Sequence, residues 1–187
     1  MYNESMILIV GLGNPEEKYK NTPHNVGFET IDLFKERFDF PSFSLNQNAL
    51  ISKKDDVVLM KPQTYMNESG TSVREIINFY KIKEEDVWVI QDENDIQLGK
   101  FKINKDISSK GHNGIKSIIE KIGTQNFVRF RIGINNEQKE DLINYVLKSF
   151  PKNEQEIINE VISDVASVIN EAIENGIEKT MTKFNKK

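Results

Sequence analysis

The sequence predicts an α/β fold: a central mixed, mostly parallel β-sheet flanked by helices, with residues 1–187 as one domain. Three observations point there. Short apolar runs of strand length alternate with stretches of helical periodicity. Three of those runs are followed by polar, turn-forming sequence: Gly11 to Pro15, Pro62 to Asn67 and Gln91 to Asp95. In open α/β sheets, sites lie at such carboxyl ends of strands. No internal repeat, linker or low-complexity stretch interrupts the pattern.

In chain order, residues 6–10 (MILIV) read as a buried strand. Residues 25–38 read as a helix, with Phe28, Ile31, Phe34 and Phe38 on one face. Residues 57–60 form a second strand, which Lys61-Pro62 should end because proline cannot donate to a ladder. Ser72-x-x-Glu75 has the form of a capping box and predicts a helix over 72–80. A third strand covers 87–90, and two more cover 101–103 and 127–134. In the last, Val128, Phe130 and Ile132 alternate with Arg129 and Arg131, which predicts one buried and one charged face. Residues 113–122 read as a helix with Ile115, Ile118, Ile119 and Ile122 inward and Gly123 as its stop. Pro151 suits the first position of the longest helix, whose apolar residues recur at three-to-four spacing from Ile158 to Ile173, before Gly176. The tail from Lys179 to Lys187 is basic and reads as loosely held.

Composition narrows the function classes. A hydrophobic share of 37% beside 29% charged residues fits a folded globular chain rather than a disordered one. No apolar run approaches the roughly 20 residues of a membrane-spanning helix. The N-terminus, Met-Tyr-Asn-Glu-Ser, has no basic region or apolar core of a signal peptide, which assigns the chain to the cytoplasm. The absence of cysteine excludes disulfides, thiol nucleophiles and thiolate-bound metals. With only His24 and His112, any imidazole chemistry uses one of these two, and a metal site would need carboxylates. The net charge is −4, yet residues 100–131 carry eight basic side chains against Asp106 and Glu120. That local balance of +6 leaves −10 on the remainder. Such a segment fits a polyanion partner; a solvated lysine face fits the charge count equally well.

Gly11-Leu12-Gly13 after a strand fails as a dinucleotide fingerprint, because Glu16 stands where the third glycine belongs. Neither a Gly-x-x-x-x-Gly-Lys-Ser/Thr loop nor a Gly-x-Ser-x-Gly elbow is present. His24 is left as a candidate base for activating water. Asp92, at a strand's carboxyl end, could fix its tautomer and stabilise the imidazolium. Asn14, Asn67 and Asn113 could donate to an oxyanion or hold a peptide backbone, and Gly111-His112-Asn113-Gly114 opens a helix whose N–H groups suit a phosphate. The plain alternatives are a packing histidine, helix-capping asparagines and a Gly-Asn-Pro turn. Pattern alone leaves both sets open.

Taken in order, these segments resemble the bacterial peptidyl-tRNA hydrolase family. The matching pieces are Gly11-Leu12-Gly13-Asn14-Pro15 with Tyr19, Thr22-x-His24-Asn25-x-Gly27, and Lys61-Pro62-x-Thr64-Tyr65-Met66-Asn67-x-Ser69-Gly70. They continue with Asp92-Glu93-x-Asp95-x-x-x-Gly99, Gly111-His112-Asn113-Gly114-x-Lys116-Ser117-Ile118, Arg129-x-Arg131-Ile132-Gly133-Ile134 and Tyr145-Val146-Leu147. The resemblance implies a cofactor-free, metal-free monomer that hydrolyses peptidyl-tRNA. By match of motif, His24 is the general base and Asp92 its partner. Asn14 and Asn67 position substrate and water, and Asn113 holds the peptide main chain. Tyr19, Tyr65, Met66 and His112 belong to the substrate cleft, and Lys102, Lys105, Lys110, Arg129 and Arg131 are candidates for the tRNA backbone. The chain departs from the family pattern at Pro23, where arginine is usual, at Gln91, where histidine is common, and at Asn94, where leucine is common. It also departs at Ile107-Ser108-Ser109-Lys110, where glycines are usual, and after Ile134, where Asn135-Asn136-Glu137 replaces a glycine-containing turn. An alternative reading, which Pro23 favours, is a catalytically weakened member acting as an RNA-binding protein.

Overall fold

A computed structural model of the chain describes residues 6–135 and 142–185. The N-terminal pentapeptide, Asn136-Glu137 of the altered turn and the last two lysines of the tail lie outside the described residues. Among the described residues seven strands, β1 (Ile7–Gly11), β2 (Ser44–Asn46), β3 (Ala49–Lys54), β4 (Val57–Pro62), β5 (Val87–Gln97), β6 (Phe101–Lys105) and β7 (Val128–Asn135), form one sheet of order β2-β3-β4-β1-β5-β7-β6. The four inner strands β4, β1, β5 and β7 run parallel, and the margins β2, β3 and β6 pair antiparallel. The helices are α1 (Val26–Arg37), α2 (Ser69–Tyr80), α3 (Asn113–Ile122), the short α4 (Leu142–Tyr145), α5 (Lys152–Asn175) and α6 (Ile177–Phe184).

A parallel sheet is covered on both faces, and β1 shows the consequence. Ile9 faces a core built with α1 and α5, including Ile31, Phe34, Val165 and Ile169. Leu8 and Val10 face a second core built with α2 and α3, including Val73, Ile76, Ile115 and Ile118. The alternation of Arg129 and Arg131 along β7 is therefore not a solvent face. Both arginines are buried, at 0% and 5% exposure, on the α2–α3 side.

Other differences have local causes. The sequence pattern assigns no element to residues 39–56, where β2 and β3 form a hairpin. Its turn uses Gln47 and Asn48, both at positive φ, in place of the glycine that usually marks such a turn. Pro62 does not end β4 early but pairs with Ala49 as its last residue. Ser72 is no cap: α2 starts at Ser69, and the Ser72 hydroxyl donates to the Asn48 carbonyl instead. The polar run after Ile90 stays in β5 because β7 continues alongside it. Pro151 stands just before α5, its carbonyl taking the N–H groups of Glu154 and Gln155. The basic tail is not loose through Asn185: it forms α6, and the Asn185 amide bonds both N–H and C=O of Ile103 on edge strand β6.

Gly27 sets where α1 meets the sheet. A Cβ there would fall 2.6 Å from the carbonyl oxygens of both Ile90 and Leu12. Its absence lets Phe28 N–H donate to Leu12 O while Leu12 N–H donates to Ile90 O, seating the helix start on the ends of β1 and β5. Gly27→Ala is expected to lower stability by about 1–3 kcal/mol through overpacking against backbone. Urea unfolding checks this: the midpoint should fall with little change in slope, and an unchanged midpoint would show that α1 can retreat freely.

Candidate active site

The site forms where neighbouring strands stop at different heights. The last β1 pair with β5 is Gly11 opposite Ile90. β5 runs on, so Asp92 lies two residues beyond its departed neighbour while still paired to Ile132 of β7. Asp92 is 3% exposed. The segment after β1 brings Asn14, the turn after β4 brings Tyr65, Met66 and Asn67, the loop before α3 brings His112, and the first residue of α3 is Asn113. A one-turn 3₁₀ helix, Pro23–Asn25, brings His24. These residues line a cleft of about 620 Å³, within the range of small-ligand sites.

Pro23 is built into this turn. It occupies a first-turn position, and Thr22 before it is extended (φ −97°, ψ 154°), the geometry proline imposes on its predecessor. Thr22 O accepts from Asn25 N–H, and His24 N–H donates to Val146 O. The Tyr145-Val146-Leu147 segment, to which sequence reasoning gave no role, thus anchors the turn, and Val146 and Leu147 join Ile134 in the cleft wall.

His24 Nδ1 lies 3.0 Å from both oxygens of Asp92. Burial opposes charge on the ring, but the Asp92 carboxylate outweighs it and raises the His24 pKa above its ordinary value. Burial acts against the Asp92 charge as well, yet the two imidazoles hold its carboxyl far below the usual carboxylate range. A carboxylate only accepts, so His24 Nδ1 carries a proton, and in the neutral ring Nε2 keeps its lone pair. His112 Nε2 lies 2.9 Å from Asp92 Oδ1, while its Nδ1 accepts the Ile115 N–H at 3.3 Å and caps α3. A backbone N–H only donates, so this ring too is fixed, with its proton on Nε2. The donor atoms of His24, Asp92 and His112 lie within 4.8 Å of one another. In that tautomer His112 offers no lone pair inward, so the trio is a hydrogen-bonded array rather than a ready metal site.

Asn14 is fixed by a different device. Its backbone N–H and C=O bond reciprocally to the side-chain amide of Asn25, and its Oδ1 accepts the Met66 N–H at 3.0 Å. The amide orientation follows, with Nδ2 left to donate into the cleft. Asn67 and Asn113 are exposed cleft residues. Tyr65 and Tyr19 also line it; the Tyr65 hydroxyl donates to Glu16, which pairs with Lys18, whose ammonium sits 4.9 Å from the Tyr19 ring centre.

Of the five basic candidates, Lys110 lines the cleft and pairs with Asp95 at 3.2 Å. Lys102 is exposed on β6 beside a second cavity, and Lys105 is half-buried at the end of that strand. Arg129 and Arg131 do not present themselves as surface phosphate ligands. Arg131 donates to Glu93 at 2.9 Å and to Asn104 at 2.8 Å. Arg129 donates to Gln91 Oε1 at 2.7 Å and to the carbonyls of Ile107 and Ser108, and Gln91 in turn donates to Asp92 O. Burial and the neighbouring Arg131 push the Arg129 pKa down to about 10, against the pull of Glu93. Arg129 is a strut that ties the loop carrying His112 to the strand carrying Asp92.

The family model for peptidyl-tRNA hydrolase matches residues 8–187. The chain belongs to the peptidyl-tRNA hydrolase family. It is 44% identical over 184 residues to the peptidyl-tRNA hydrolase of Thermoanaerobacter sp. (strain X514), covering 96% of this chain and all of that one. It is 42% identical to that of Clostridium botulinum (strain Eklund 17B / Type B), covering 96% of each. A crystal structure of peptidyl-tRNA hydrolase from Acinetobacter baumannii superposes with a TM-score of 0.89 at 32% identity, covering 96% of this chain and 94% of that one. The family's fold thus extends over nearly the whole chain.

Arg129→Met should remove the strut while keeping bulk. With Glu93 and Gln91 left short of a buried partner, stability should fall by about 3–5 kcal/mol. Amide exchange across residues 107–113 should speed up more than elsewhere. Unchanged stability together with full protection of that loop would rule the strut out.

Proposed function

We propose that the chain hydrolyses the ester between a peptide, or an N-acylated amino acid, and the 3′ end of tRNA, returning free tRNA. The observation that carries this reading is the buried His24–Asp92 pair opening onto a cleft beside the fixed Asn14 amide. His24 Nε2 takes a proton from water as the water oxygen attacks the ester carbonyl. Asp92 holds the ring and stabilises the imidazolium. Asn14 Nδ2, with Asn67, donates to the tetrahedral oxyanion. The imidazolium then protonates the departing ribose oxygen, giving a carboxylic acid and a tRNA hydroxyl. A ribose hydroxyl leaves more readily than an amide nitrogen, so water can act without a covalent enzyme intermediate.

Asn113 holds the peptide main chain, while Tyr19, Tyr65, Met66 and His112 shape the cleft around the terminal nucleoside and the peptide. The exposed Lys102 and Lys110, with Lys105, face the tRNA backbone. Phosphate contacts position without reading sequence, which suits a substrate class sharing one 3′ end. In this reading the chain works as a cytoplasmic monomer, one domain over residues 1–187, without cofactor. Among the described residues no helix is long and apolar enough to cross a membrane.

Release of the acylated amino acid from N-acylated aminoacyl-tRNA tests the proposal. His24→Ala should lower kcat/KM by at least ~10²; turnover near wild type would sink the assignment of the base. The neutral ring is the active form and its pKa is raised. Wild-type kcat/KM should therefore climb with pH through a midpoint above about 6.5 before levelling. Rising salt should weaken binding if the lysines meet phosphates.

A further inference from the structure

We infer that His112 is a positioning residue which, by donating its Nε2–H to Asp92 Oδ1, sets how much of that carboxylate's charge reaches His24 and hence the pH range of the base. This rests on the proposal that His24 is the base. Among the described residues Asp92 Oδ2 accepts from His24 alone, whereas Oδ1 is shared by His24 at 3.0 Å and His112 at 2.9 Å. The sharing is enforced, because Ile115 N–H occupies Nδ1 of His112 and leaves Nε2–H as the only proton the ring can present. The His112 side chain is 8% exposed, so water cannot readily replace that donor. The two ring centroids stand 5.4 Å apart with the planes inclined at 56°, so both rings converge on the carboxylate they share.

The other ionisable groups at this cleft are engaged elsewhere. Glu93 on β5 is bound by Arg131 of β7, Lys110 on the loop before α3 pairs with Asp95, and Tyr65 after β4 donates to Glu16. Tyr19, after β1, lies beneath Lys18. Asp92 is thus the charge in contact with His24, and His112 is its competitor for that charge. Taking away the competing donor concentrates the carboxylate on His24 and favours the imidazolium, so the base should lose its proton only at higher pH.

The chain has two histidines, which makes the test direct. In a His112 variant, His24 gives the single imidazole signal in an NMR pH titration. His112→Asn keeps an oxygen to cap Ile115 N–H but is too short to reach Asp92. His112→Ala removes both contacts. The expected result is an upward shift of the His24 midpoint by about half to one unit in both variants, with the acid limb of kcat/KM moving by the same amount. An unshifted or lowered midpoint in His112→Asn overturns the inference. A shift confined to His112→Ala, rescued by Asn, also overturns it and assigns His112 to capping alone. The titration needs no substrate. Failure of the wild type to cleave acylated tRNA would therefore count against the proposed reaction while leaving this measurement intact.

Discussion

A carboxylate at Asp92 with almost no access to water is the constraint around which the rest of the site is arranged. An ionised group in that position requires hydrogen-bond donors from the protein, and two rings from distant parts of the chain supply them. Each ring is fixed behind by backbone: His24 through its turn on Val146, and His112 through Ile115 at the start of α3. Asp92 therefore joins three segments that share no local structure: the turn before α1, strand β5 and the loop before α3. The height difference between β1 and β5 makes room for this, since Gly11 is the last β1 residue beside β5.

The adjacent residues on β5 solve the same problem on the other face. Gln91 and Glu93 alternate with Asp92 and meet Arg129 and Arg131. Buried arginines are costly unless paired and hydrogen-bonded. Here the donors find a carboxylate, two side-chain amides and two loop carbonyls, with Arg129 Nη2 left 3.8 Å from Glu93 and without a hydrogen bond. The cost is offset by what the pairing fixes, because the loop carbonyls belong to the segment that delivers His112.

Much of the inner fold is legible in apolar spacing: β1, β4 and β7, with α1, α3 and α5, lie within a few residues of where periodicity puts them. What pattern misses depends on partners it cannot see. The β2–β3 hairpin carries only a short apolar run, Ala49 to Ile51, and turns on Gln47-Asn48. The second half of β5 is polar and stays extended because β7 runs beside it. Ser72 has the sequence of a cap but faces Asn48. The site is less legible than the fold. Asn14, Asn67 and Asn113 resemble helix caps one at a time, and the cap of α3 turns out to be His112. Only the ordered motifs single out these residues, because their convergence comes from strand ends far apart in sequence. Arg129 and Arg131 mislead for a related reason: alternation marks two faces but does not say that both are covered.

Three of the departures from the family pattern can be placed on this framework. Pro23 fits an extended Thr22 and a tight turn, so it shapes the backbone that presents His24 without touching Asp92. Gln91 accepts from Arg129 and donates to the Asp92 carbonyl, a bridge that its two-ended amide can make with both bonds satisfied. The loop with Ile107-Ser108-Ser109-Lys110 in place of glycines reaches His112 with Asp106 and Lys110 themselves at positive φ, and Arg129 grips its carbonyls. Gln91 and this loop therefore meet at one buried arginine. The changes at Pro23, Gln91 and residues 107–110 fall in the layer that supports the Asp92 array and not in the array itself, so they bear on how firmly the His24 turn and the loop are held more than on which bond the site can break.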